Sequence, residues 1–140
     1  MLKFAKGVND GVKLQYHSNE FLKNHIASIH NHPKNAFSPP SGKNFTIFSR
    51  SFEDYELVVG RDGLWILKAK GVFKNLISEV REASEVFYIM VVVHCESSHG
   101  DGGEIDKCND RLYGDMLLKY INDKNINDIK LIRREYKNDN

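Results

Sequence analysis

Two histidines, His30 and His32, flank a single asparagine and are followed by Pro33. On an extended strand, residues two positions apart point to the same side, so both imidazoles can reach one ion. Imidazole is a common Zn²⁺ ligand, and a catalytic zinc site uses three protein ligands and an open position for water. Zinc lowers the pKa of that water toward ~7 and so supplies hydroxide for attack on a carbonyl. The spacing therefore predicts a metal site at the end of a strand.

The loop that follows the two histidines contains every proline of the chain. Pro33, Pro39 and Pro40 each fix a backbone φ and lack an N–H donor, which predicts a stiff and well-defined loop. Ser41 is suited to cap the N-terminus of the next helix. The alternative for this region is a hydrogen-bonded loop without metal, in which Ser41 serves only as that cap.

The segment from His30 to Asn44 resembles the metal-binding loop of the JAMM (MPN-type) metalloprotease family, which includes DNA-repair-associated and phage-encoded members. The family pattern is His-x-His-Pro, a spacer, and Ser-x-x-Asp. Here His30, His32 and Pro33 match its first part. Ser41 stands at the serine position and Asn44 at the metal-binding Asp position. The resemblance implies that His30, His32 and Asn44 bind zinc and that Ser41 is a catalytic residue that stabilises the oxyanion.

The chain departs from the family pattern in three ways. The spacer between the histidine pair and the serine is one residue longer than usual. The neutral amide of Asn44 is a weaker zinc ligand than the carboxylate of the family. Family members also place an upstream Glu on a strand as general base, whereas Glu20, the single Glu before the loop, falls in a predicted helix. Glu53 and Asp54 are substitute acids, although nothing in their spacing brings them to the loop.

The resemblance covers residues 12–70 and implies one JAB-like domain over residues 1–136, followed by a polar tail over 137–140. The expected fold class is α/β (α+β), a mixed β-sheet flanked by helices in a cytidine-deaminase-like, JAB-like layered architecture. The expected function is zinc-dependent hydrolysis of amide or isopeptide bonds in a protein or peptide, by an intact or a degenerate site. The alternative is a non-catalytic JAB-like binding or scaffold module of phage or mobile-element origin. A His-Asn-His nuclease is excluded, because such enzymes separate these residues across a ββα unit.

A second group of zinc-type side chains comprises His94, Cys95, His99 and Cys108. Their spacing matches no zinc finger, although Cys95 and His99 would share one face of a helix. A polar loop with one buried thiol is the favoured interpretation. Two cysteines are too few for a disulfide scaffold, so a reducing cytoplasm is the simplest expected location.

Turn residues and apolar periodicity predict the elements that position the loop. The segment Val86–His94 fits either a helix or a buried strand, and its run of three valines favours the strand. The remaining predictions are strands at 12–16, 27–30 and 126–136, a hairpin of 55–59 and 64–68, a loop at 97–103, and helices at 18–25, after Ser41, from Val72 onward and at 109–121.

Composition and charge exclude several classes of protein. Twenty basic and nineteen acidic residues leave a net charge of +1, so we expect no nucleic-acid partner. The longest apolar run, Val86–Val93, is far shorter than the ~20 residues of a transmembrane helix, and we expect no membrane association. A chain of 140 residues suits a single globular domain.

Overall fold

The computed structural model describes residues 27–33 and 36–136 of the 140-residue chain. Within these residues, one four-stranded sheet and three α-helices share a single hydrophobic core, which confirms the predicted α+β class. The predicted strand at 12–16, the helix at 18–25 and the tail at 137–140 lie outside the described residues. The elements are β1 (Ala27–Asn31), α1 (Gly42–Ser49), β2 (Tyr55–Val59), β3 (Gly63–Ala69), a 3₁₀ helix (Gly71–Leu76), α2 (Ile77–Ser98), α3 (Gly102–Asn122) and β4 (Ile129–Glu135).

The strands follow one another across the sheet in the order β1-β2-β3-β4. β1 and β2 are parallel, and the other two pairs are antiparallel. Because parallel neighbours cannot be joined by a tight turn, the chain crosses from β1 to β2 through α1. The β2–β3 hairpin turns at the Asp-Gly pair of Asp62 and Gly63, as predicted. In the parallel register His30 pairs with Val58, and Ser28 pairs with Glu56.

The core lies between one face of the sheet and the three helices. Alternate residues of β3 are buried, as expected of a strand with one face toward the core. Gly114 of α3 lies so close to Trp65 that an added Cβ would come within 2.6 Å of the indole ring. A glycine there therefore lets α3 approach the sheet. The fully buried side chains of this core include Phe45, Phe48, Val58, Trp65, Leu67, Ile77, Leu117 and Leu131.

The segment Val86–His94 lies inside α2, so the preference for a strand is wrong. Val91 and Cys95 face the core, while Val86 and Val93 are more than half exposed. The two buried residues are four positions apart and the two exposed ones seven, which are the intervals of a helix with one buried side. The β propensity of valine is weak and depends on packing, so the tertiary context decides here.

Cys95 and Cys108 form a disulfide that joins the end of α2 to the start of α3. The predicted free, buried thiol is therefore wrong. The sequence could not show this pairing, because it depends on how α2 and α3 pack together. A disulfide is typical of oxidising compartments, so the cysteine count no longer supports a cytoplasmic location, which stays a prediction. In the described part of the chain, no helix is both long enough and apolar enough to span a bilayer.

Opening the disulfide is expected to destabilise the domain. The bond closes a loop between residues 13 apart in sequence, and a loop of this length contributes about 3 kcal/mol to the free energy of unfolding. Urea unfolding with and without reductant measures the change. The double variant Cys95→Ala/Cys108→Ala is the control, since its midpoint should not respond to reductant. An unchanged wild-type midpoint in reductant would contradict this prediction.

Candidate functional site

His30 and His32 lie on the same side of the chain at the end of β1. Their ring centroids are 5.2 Å apart, as the two-residue spacing predicts. The backbone N–H of His32 donates a hydrogen bond to the carbonyl of Val59 at 2.9 Å, which continues the β1–β2 pairing beyond the last residue of β1. Both imidazoles are therefore presented from a hydrogen-bonded part of the sheet.

The two rings meet at the side-chain amide of Asn44, at the start of α1. Asn44 Nδ2 donates to His30 Nε2 at 2.9 Å, and Asn44 Oδ1 lies 3.0 Å from His32 Nε2. The Nε2 atoms of both histidines thus converge on one side chain, that of Asn44. All three proposed metal ligands come together in the structure.

The orientation of the Asn44 amide is set by the cap of α1. Asn44 Oδ1 accepts hydrogen bonds from the backbone N–H and the hydroxyl of Ser41, at 2.7 and 2.8 Å. A reversed amide would place its NH₂ group against the Ser41 N–H, donor against donor. Ser41 caps α1 as predicted, and its hydroxyl is engaged in this capping box.

His32 lies between two acceptor oxygens. Its Nδ1 lies 2.6 Å from the carbonyl oxygen of Phe37, and its Nε2 faces Asn44 Oδ1. Neither oxygen can donate, and a neutral imidazole carries only one N–H. One N–H therefore satisfies one of the two contacts, and a metal ion at Nε2 would satisfy the other.

His30 has a buried acid behind its ring. Its Nδ1 lies 3.3 Å from Oε1 of Glu56, whose side chain is only 6% exposed. The two residues share one face of the sheet because β1 and β2 are paired in parallel. His30 and His32 therefore both have an oxygen at Nδ1 and direct Nε2 toward Asn44.

Burial shifts the pKa of both members of the His30–Glu56 contact. Burial, and secondarily the His32 imidazole, lowers the pKa of His30 from 6.5 to about 4. Burial, and secondarily the charge of Glu53, raises the pKa of Glu56 from 4.5 to about 8, while Lys74 acts in the opposite direction. His30 is thus a neutral imidazole near pH 7, the form that binds metal ions.

The loop between the histidines and α1 is anchored to α3. Asp110 accepts a hydrogen bond from the backbone N–H of Ser38 at 2.9 Å, and Arg61 donates two hydrogen bonds to the same carboxylate. Tyr113 donates its hydroxyl hydrogen to the carbonyl of Pro40. The proline-containing loop is therefore held at its middle and at its end.

Two imidazoles and one amide oxygen form the donor set that a zinc ion would use here. His30 Nε2 and His32 Nε2 are ligands of the usual kind, and Asn44 Oδ1 would be the third, an amide oxygen in place of a carboxylate. Two ligand atoms ~2.1 Å from a tetrahedral zinc lie about 3.4 Å apart, so His32 Nε2 and Asn44 Oδ1, which are 3.0 Å apart, would have to separate slightly. His30 Nε2 would have to exchange its contact with Asn44 Nδ2 for the ion. In residues 27–33 and 36–136, no three His, Cys, Asp or Glu side chains are grouped to hold a metal, so a third ligand at this site depends on the Asn44 amide.

Sequence reasoning missed Glu56 and named other acids instead. Glu53 is buried and accepts a hydrogen bond from the Ser28 hydroxyl at 2.7 Å. Glu20 is outside the described residues. One feature of the sequence could have identified Glu56. It is an acid at a core-facing position of β2, two residues before the buried Val58.

The second zinc-type group does not form a metal site in the structure. Cys95 and Cys108 are bonded to each other, so neither offers a thiolate. His99 lies 3.5 Å from the exposed carboxylate of Glu104, at the start of α3. The favoured interpretation, a polar loop with one buried thiol, is wrong, because His94 and Cys95 lie in α2 and Cys108 lies in α3.

Comparison with protein-family models, with curated proteins and with solved structures finds no match to this chain.

The raised pKa of Glu56 predicts a stability that falls with rising pH. Between pH 4.5 and about 8, Glu56 keeps its proton in the folded protein, whereas the unfolded chain has already released it. Relative to Glu56→Gln, the wild-type free energy of unfolding should therefore fall across this range, by at most ~1.4 kcal/mol per pH unit. Urea unfolding at pH 5, 6, 7 and 8 measures the difference. Glu82→Gln, at an exposed acid of α2, is the control, and parallel curves for wild type and Glu56→Gln would contradict the prediction.

Proposed function

We propose that this protein is a JAB-like, zinc-dependent hydrolase of amide or isopeptide bonds in a protein or peptide. The observation that carries the proposal is the convergence of two imidazole Nε2 atoms on the side chain of Asn44. The neutral state of His30 and the two acceptors around His32 support a cation at this place.

Each residue of the site has a distinct task in this proposal. His30, His32 and Asn44 would hold the zinc, which supplies Lewis acidity for water and for the substrate carbonyl. Ser41 fixes the Asn44 oxygen through its N–H and hydroxyl, and it would stabilise the oxyanion by redirecting that hydroxyl hydrogen to the substrate. General-base catalysis contributes ~10² to 10⁴ in rate. Glu56 is not placed to act as this base, because it contacts Nδ1 of His30, on the side of the ring away from Asn44.

A non-catalytic JAB-like module is the second candidate, and one contact favours it. Asn44 Nδ2 already donates a hydrogen bond to His30 Nε2. The amide nitrogen is not a metal ligand, so His30 must give up this bond to bind an ion. A carboxylate at position 44 would carry no such donor. In this alternative, Asn44 serves as a bridge between the two rings and the loop binds a partner without hydrolysis.

Zinc content tests the site directly. Wild-type protein is expected to bind one zinc ion per chain, while His30→Ala and His32→Ala lose it, because each removes one of three ligands. Zinc is measured by elemental analysis after dialysis at pH 7.5. His99→Ala, which removes an imidazole away from the loop, should keep full zinc. Wild-type protein without zinc in the presence of excess metal would exclude the hydrolase.

Activity separates the two candidates. The zinc-loaded wild type is expected to cleave members of a panel of peptides and isopeptide-linked peptides, and the two histidine variants should be inactive. Zinc binding without cleavage of any member supports the non-catalytic module.

The substitution Asn44→Asp should strengthen zinc binding. A carboxylate is a better zinc ligand than an amide, and the change removes the NH₂ group that engages His30. We expect at least a tenfold lower zinc Kd, measured by competition with a chromophoric chelator. The control is Asn31→Asp, which adds the same charge at an exposed position between the two histidines. Equal gains in both variants would show a general effect of charge and would contradict the prediction.

A further inference from the structure

Glu56 is an almost fully buried acid whose position is fixed by the sheet. It lies on β2, and its side chain shares the core-facing side with that of His30 on β1. Its Oε1 is 3.3 Å from His30 Nδ1, the ring nitrogen that points away from Asn44. A paired strand is a firmer support for such a contact than a loop.

An acceptor oxygen at Nδ1 of an imidazole determines whether Nε2 has a free lone pair. When Nδ1 carries the hydrogen and donates it backward, the Nε2 lone pair is left free for a metal. Histidines that bind metals almost always donate their other N–H to a carboxylate or a carbonyl, which fixes ring orientation and raises ligand basicity. The Phe37 carbonyl stands in this relation to His32, at 2.6 Å.

We infer that Glu56 is the positioning residue of His30, accepting its Nδ1–H and thereby directing its Nε2 toward the metal. The inference rests on the proposed function only in taking zinc as the ion. Glu56 does not act as the general base, because the imidazole ring stands between its carboxyl group and the side on which Asn44 lies.

The paired variants Glu56→Gln and Glu56→Leu test the inference. Gln keeps an acceptor oxygen at this position, whereas Leu has a similar size and no acceptor. Glu56→Met takes the place of Leu if the Leu variant does not fold. The matched control is Glu53→Leu, which removes a neighbouring buried acid that is bonded to Ser28.

The first measurement is zinc affinity by chelator competition. Loss of the acceptor should raise the zinc Kd about 10- to 100-fold in Glu56→Leu, the range found when such outer partners are removed. The zinc Kd of Glu56→Gln should stay within tenfold of the wild-type value, and the zinc Kd of Glu53→Leu should equal the wild-type value. A folded Glu56→Leu protein that binds zinc as tightly as wild type would overturn the inference.

The second measurement needs no metal and keeps the inference separate from the proposed function. In zinc-free protein, the imidazole Nδ1–H proton of His30 should give a downfield NMR resonance in wild type and in Glu56→Gln. This resonance should move upfield or exchange away in Glu56→Leu. If wild type binds no zinc, the proposed function fails while this comparison still decides the role of Glu56. An unchanged resonance in Glu56→Leu would overturn that role.

Discussion

The parallel pairing of β1 with β2 is the constraint on which the candidate site depends. It puts the side chains of His30 and Glu56 on one face of the sheet, and the crossover that parallel strands require returns the chain through α1. That crossover brings the start of α1, with Asn44, opposite the end of β1. A shift of one residue in register would turn His30 away from both neighbours, because side chains alternate along a strand. One set of backbone hydrogen bonds therefore positions the front and the rear of the His30 ring.

Local features of the sequence predicted much of this arrangement. The two-residue spacing placed His30 and His32 on one side, and the cap at Ser41 followed from residue type at a helix start. The Asp-Gly pair likewise located the hairpin. All these features depend on residues within a few positions of one another, where backbone geometry is restricted.

The features that the sequence did not predict depend on distant contacts. Glu56 reaches His30 only because the two strands pair, and Asp110 reaches Ser38 from 72 residues away. The bond between Cys95 and Cys108 follows from the packing of two helices. The segment Val86–His94 is helical for a similar reason. No local property of its short apolar run separates a helix from a strand, so its packing in the fold decides.

The covalent link between the helices has a consequence for the histidine loop. Asp110, which holds the Ser38 backbone and the Arg61 guanidinium, follows Cys108 by half a turn of α3. Helix ends fray first, and the disulfide fastens this end of α3 to α2. Asp110 therefore reaches the imidazole-bearing loop from a turn of α3 that is covalently held to α2.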